Sequence, residues 1–159
     1  MKRRVFGVIA ALCCMPALAA GVLKLSRTEL TLEPGKPPGE LYAENVGDTP
    51  LYLNVEQALL TNPGQTPEHL VPVSAVSRPG LLVLPSRLTV APGQKYRIGL
   101  RTFDTPPGTP ADTQVWRVTF RPKERIVVDT VQGDGAHAPL FVSVGYGVLI
   151  YQFKHARAE

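Results

Sequence analysis

The chain has 159 residues, with 17 basic and 13 acidic side chains, a formal charge of +4, 16 prolines and 14 glycines. That much proline and glycine excludes a helical bundle, and no window sustains a 3.6-residue period with caps at both ends, so the expected class is all-β. Lys2, Arg3 and Arg4 belong to a leader; without them 14 basic residues face 13 acidic ones, a net of +1, which removes the electrostatic footprint that nucleic-acid binding needs.

Residues 1–20 combine a basic start, an apolar stretch from Val5 to Ala20 and a small-residue site at Ala17-Leu18-Ala19. This is the pattern of a secretory signal peptide cut after Ala19 or Ala20, and the apolar stretch is too short for membrane insertion. Cys13 and Cys14 leave with it, so the mature chain is expected to lack thiols and to be indifferent to reductant. About 140 residues are enough for one domain, predicted over 21–153, to hold itself together by a hydrophobic core without disulfides. Residues 154–159 read as a tail.

Val22 to Leu32 (VLKLSRTELTL) reads as one strand, closed by Glu33-Pro34-Gly35, and Glu40 to Val46 follows, ending in the turn Asn45-Val46-Gly47-Asp48. Leu51 to Leu60 is a third strand, with Leu51, Leu53 and Val55 alternating against Tyr52, Asn54 and Glu56, one face inward and one wet. Leu70 to Val76 is a short strand weakened by Pro72. Leu81 to Val90 is interrupted at Pro85-Ser86 and turns at Ala91-Pro92-Gly93-Gln94 into Lys95 to Arg101, where Tyr96, Ile98 and Leu100 share a face. Gln114 to Arg121 puts Trp116, Val118 and Phe120 opposite Val115, Arg117, Thr119 and Arg121, and a long connection spans 122–139.

The last run, Phe141 to Tyr151, is the strongest. Val142, Val144, Tyr146, Val148 and Ile150 fall on one face of a strand, with Ser143, Gly145 and Gly147 on the other. The small residues leave room for another backbone or a ligand, and a terminal apolar strand at a sheet edge needs something to pair with it. About seven short strands separated by turns, with no repeat, predict a single-domain immunoglobulin-like β-sandwich.

Catalytic signals are weak. His69, His137 and His155 show no metal-ligand spacing, no nucleophile-elbow motif occurs, and neither an enzyme nor a cofactor is expected. Arg97, Arg101, Arg117 and Arg121 sit on the polar faces of two strands. A solvated face is the ordinary reading of such residues, and bidentate capture of a carboxylate is the functional one.

The ordered set Asn45-x-Gly47, then Gly80 to Gln94 (GLLVLPSRLTVAPGQ), Trp116 to Phe120 (WRVTF) and Val148 to Tyr151 (VLIY) resembles the N-terminal domain of the PapD-like periplasmic pilus-assembly chaperones. LLVLPSRLTVAPGQ and WRVTF are most similar to the alpha, or common-pilus, type. The resemblance covers 22–151 and implies a periplasmic chaperone for pilus subunits that lends its final strand to an incomplete subunit before transfer to an outer-membrane usher. The implied donor residues are Phe141, Val142, Ser143, Val144, Gly145 and Tyr146.

Typical members of that family hold the subunit's C-terminal carboxylate with an Arg on the first strand and a Lys on the last. Those positions hold Glu29 and Val148 here, leaving Arg117, preferred for lying beside Trp116, or Arg27 as the implied anchor. The family also carries a second domain, which would begin near Phe153, and a homodimer, another chain or a purely strand-based mode is the expected substitute. Two rival readings are a structural pilus component and a generic periplasmic domain binding carbohydrate or protein. A pilus subunit should lack its last strand and carry an alternating N-terminal extension, whereas exposed aromatics gathered on one face would mark the binding domain.

Overall fold

The computed structural model describes residues 21–104, 113–123, 126–128, 140–142 and 144–153. The predicted signal peptide and the tail 154–159 lie outside the described residues. The strands are β1 (Leu23–Leu25), β2 (Glu29–Leu32), β3 (Leu41–Asn45), β4 (Leu51–Leu60), β5 (Leu70–Pro72), β6 (Leu81–Leu84), β7 (Arg87–Val90), β8 (Lys95–Thr102), β9 (Thr113–Pro122), β10 (Ile126–Val128), β11 (Leu140–Val142) and β12 (Tyr146–Phe153). One sheet runs β1-β3-β8-β6. The facing sheet runs β2-β12-β9-β4-β5, with β7 pairing the other end of β4, and β10 pairs β11 as a separate ribbon.

Twelve described strands replace the expected seven or so, chiefly because several predicted strands divide. The first does so at Ser26. Its backbone N–H donates to the Tyr42 carbonyl at 3.0 Å and its Oγ accepts from the Tyr42 N–H at 2.9 Å, so a side chain finishes the β1–β3 ladder. Two residues later the Thr28 carbonyl accepts from the Leu149 N–H at 2.9 Å, opening a parallel ladder between β2 and β12. The chain thus crosses from one sheet to the other at Arg27.

A second crossing falls at Pro85-Ser86. β6 pairs with β8 in the first sheet and β7 with β4 in the second, so proline, which has no N–H to give a ladder, marks the change of sheet. Leu70 to Val76 resolves into β5 and a 3-10 turn, Val73–Ala75. The connection after residue 122 contains β10, which has only Ile126, Val127 and Val128 to signal it.

The predicted inward rows form the core. Trp116, Val118, Phe120, Val148 and Ile150 of one sheet, with Leu51 and Leu53, are fully buried against Leu41, Leu81 and Ile98 of the other. At about 25 cal/mol per Å² of apolar surface, this burial is what holds the domain together. Three buried amides pin the layers. Asn45 Nδ2 donates to the carbonyls of Thr49 (2.7 Å) and Val90 (2.9 Å), while its Oδ1 accepts from the N–H groups of Gly47 (3.0 Å) and Val22 (3.2 Å). Gln57 of β4 donates to the Leu81 carbonyl at 2.9 Å and accepts from the Val83 N–H at 3.0 Å, satisfying the outer edge of β6 with a side chain. Gln152 accepts from the Trp116 indole at 3.1 Å and donates to the Gly80 carbonyl at 2.7 Å.

Candidate strand-addition edge

β12 is flanked unequally. It pairs with β9 along its whole length, from Tyr146↔Phe120 to Phe153↔Thr113, but with β2 only from Leu149 to Gln152. The terminal strand is therefore interior over its second half, and only its beginning is an edge. Leu149 turns its N–H toward β2, so strand alternation points the backbone groups of Gly147 the same way, and Gly145 leads into the strand just before it. Among the described residues no strand meets them there.

The side chains change environment at the same place. Val148 and Ile150 are 0% exposed, whereas Tyr146 is 38% and Val144 45% exposed. One alternating apolar row thus runs out of the core and into solvent.

Before it, the predicted single run breaks into β11 and β12. Val142 pairs with Ile126 and Tyr146 with Phe120, so three residues lie between the two pairs on one side and five on the other, and the two ladders are out of register with each other. Of the predicted donor residues, Phe141 and Val142 lie in β11, opposite Val127 and Ile126; Val144 and Gly145 lead into β12, and Tyr146 opens it. Ser143 lies outside the described residues.

The four arginines do not form one patch. Arg97 and Arg101 belong to β8 in the first sheet, where Arg97 Nη2 lies 3.5 Å from Glu40. Arg117 and Arg121 stand on the outer face of the second sheet, behind the free edge. Arg117 Nη2 donates to Glu68 Oε1, and its Nε is buried without a protein partner. Arg121 Nε donates to Glu56 Oε2 at 2.8 Å. A Cβ placed on Gly147 would lie 3.7 Å from both Cδ and Nη1 of Arg117, and one on Gly145 would lie 3.5 Å from Arg121 Nη1. The glycines leave open the surface over which both guanidinium groups lie.

Arg27 occupies the crossing between β1 and β2, beside Thr28, the residue at which β2 takes over the edge of β12. Val148 lies in the core opposite Val118, where an unpaired cation would be costly, and Glu29 is exposed opposite Leu149. At the far end of β12, Gln152 stands opposite Gln114, whose Oε1 is buried without a partner. Sequence reasoning missed this pair, although both glutamines continue alternating rows on strong strands. Among the described residues, no three His, Cys, Asp or Glu side chains come together as metal ligands, and no helix is long and apolar enough to cross a membrane.

No protein-family model and no curated protein sequence matches the chain. Solved structures do. The class 5 fimbriae chaperone CfaA aligns with a TM-score of 0.61 at 20% identity, over 84% of this chain and 56% of its own. A chain of the Salmonella enterica SafA pilin–SafB chaperone complex aligns with a TM-score of 0.54 at 16% identity, over 90% of this chain and 59% of that one. A PapD-like domain of human CEP192 aligns at 0.50 and 11% identity, over 98% and 100%. Likeness at these identities fixes the fold as an immunoglobulin-like β-sandwich. The chain spans about 56% of the length of the CfaA structure it matches.

Proposed function

We propose that this protein is a periplasmic chaperone for pilus subunits, working by strand addition and passing its client to an usher. The observation that carries the reading is the half-covered β12: an alternating apolar row leaves the core at Tyr146 and Val144 beside a backbone edge that β2 does not reach. Backbone hydrogen bonds along such an edge supply affinity, and the projecting side chains supply specificity. A fold shared with fimbrial chaperones supports the same reading, and the alpha type is the branch that the sequence motifs favour.

For the carboxylate anchor we favour Arg27 over Arg117. A client strand running parallel to β12 along the free edge must stop where β2 begins, and Arg27 stands at that stop, whereas Arg117 lies on β9, one strand removed from that edge. Phe141 and Val142, which lie in β11, complete the proposed donor segment together with Ser143.

The test is co-production with pilus subunits encoded beside it. A one-to-one complex should form, amide exchange at Gly145 and Gly147 should slow in it, and Tyr146→Glu should abolish it without lowering the melting temperature. Unchanged exchange at both glycines within a complex would reject strand addition. The full-length match to a human PapD-like domain favours a second reading, a generic protein-binding module, in which complex formation would survive Tyr146→Glu.

A further inference from the structure

Two arginines on the outer face of β9 are arranged alike. Each is tied by a glutamate from β4 or the segment after it, Arg121 through Nε to Glu56 and Arg117 through Nη2 to Glu68. Each turns its other side toward β12, with Nη1 3.5 Å from a Cβ position on Gly145 in one case and 3.7 Å from one on Gly147 in the other. Gly145 and Gly147 are alternate residues, so their vacant side-chain positions share the outer face, and the backbone groups of Gly147 point to the edge that β2 leaves uncovered.

A residue added opposite either glycine on a new strand would lie about 5 Å away on that same face, within reach of a long side chain crossing the bare glycine. Any side chain at 145 or 147 would block that path. The two guanidinium groups are fixed from behind, and Arg117 Nε is already buried without a partner. The surface thus presents two guanidinium groups, each held on one side by a glutamate and leaning over alternate residues of the chain on the other, beside a backbone edge that itself selects an extended chain.

Resting on the strand-addition reading, we propose that the Arg117–Arg121 pair reads acidic side chains at alternate positions of the added strand, so that the preferred partner is an extended segment with Asp or Glu at i and i+2 on its outward face and apolar residues on the other. Opposite charge across a partly desolvated edge gives specificity and steering.

Two nine-residue peptides with free C-terminal carboxylates test this, one alternating valine with glutamate, the other valine with glutamine, each titrated against the intact protein at low and moderate salt. The glutamate peptide should bind about tenfold tighter or more at low salt, the magnitude of one or two charge-assisted hydrogen bonds, and its advantage should shrink as salt rises. Arg121→Gln, at an exposed ion pair, should cut that advantage several-fold. So should Gly147→Val, which shields Arg117 Nη1, the advantage being read as the ratio of the two peptides' affinities for the same variant; a thermal melt confirms that each variant folds. Equal affinity for the two peptides, or an advantage unmoved by both substitutions, overturns the charge-reading proposal and leaves strand addition standing. Failure of both peptides to bind overturns strand addition, and this proposal with it.

Discussion

Gly147 passes beneath the side chain of Arg117: a Cβ built on the glycine would stand 3.7 Å from Cδ and from Nη1, an ordinary contact, whereas one built on Gly145 would stand 2.9 Å from Cγ2 of Thr119. The two glycines that look equivalent in sequence are therefore unequal in packing. Gly147→Ala is expected to change stability by less than about 0.5 kcal/mol, and Gly145→Ala to cost about 1–3 kcal/mol by overpacking. Chemical denaturation of the two variants checks the difference. Thr119→Ser, which removes the obstructing methyl, should recover most of the loss in the Gly145→Ala background; no recovery would place the strain elsewhere.

Asn45 supports a second prediction. Its amide joins four backbone groups from the start of β1, the β3–β4 turn and the end of β7. Asn45→Ala leaves those groups without their partner and is expected to cost about 2–4 kcal/mol. Asn45→Asp should be at least as damaging, because the two carbonyls that accept from Nδ2 would then face a carboxylate oxygen. Urea titration measures both, and a change below about 1 kcal/mol for Asn45→Ala would show that water replaces the amide at no great cost.

Tyr42 gives a pH-dependent signal on the outer face of the first sheet. Its hydroxyl donates to Glu40 Oε2 at 2.9 Å, and this bond, followed by desolvation and the Glu40 charge, raises the phenol above its ordinary value of 10.0 while Arg97 opposes the shift. A raised folded-state value means that the neutral phenol is favoured by folding. That contribution is complete below the ordinary tyrosine range and is lost as pH rises through the shifted value. Ultraviolet difference titration should show Tyr42 ionising above the ordinary tyrosine value, and Glu40→Gln should bring it back toward that value. Lys95, whose ammonium sits 4.2 Å from the ring centroid of Tyr42, is a useful control, because Lys95→Ala leaves the Glu40 bond in place.

How much of this was legible in the sequence follows from period and burial. Period-two rows such as Leu51, Leu53 and Val55, or Trp116, Val118 and Phe120, announce both a strand and its inward face, and each of these residues is buried. Sheet membership was not legible. Ser26 and Pro85 interrupt apolar runs in ways that single-sequence patterns read as weak points within a strand or as a break, whereas each begins a crossing between sheets. The parallel β2–β12 pairing, which decides how much of the last strand stays open, joins residues about 120 positions apart along the chain, and nothing local encodes it. For the same reason Arg117 looked available on its strand: Glu68, its partner, lies 49 residues away in a stretch with little periodicity.

The last strand divides into a part the fold needs and a part that the proposed client needs, and substitutions at its two ends separate them. Ile150 is fully buried opposite Trp116, with β2 on its other side. Ile150→Asp places an uncompensated carboxylate in that core and is expected to cost several kcal/mol, a large share of the roughly 5–15 kcal/mol that stabilises a typical domain. It should leave little folded protein, seen as loss of the cooperative melt. Tyr146 is 38% exposed beyond the point where β2 begins, so Tyr146→Glu should melt within a few degrees of the parent; on the donor-segment reading, Phe141→Glu should do the same. Under strand addition both glutamate variants lose client capture with the fold intact, Tyr146→Glu because a charge on the donated row cannot enter an apolar groove and Phe141→Glu because it places a charge where the donor segment begins. Capture that survives both would make β12 only the closing strand of a sandwich, and equal destabilisation at positions 141, 146 and 150 would show that the fold itself uses the whole run.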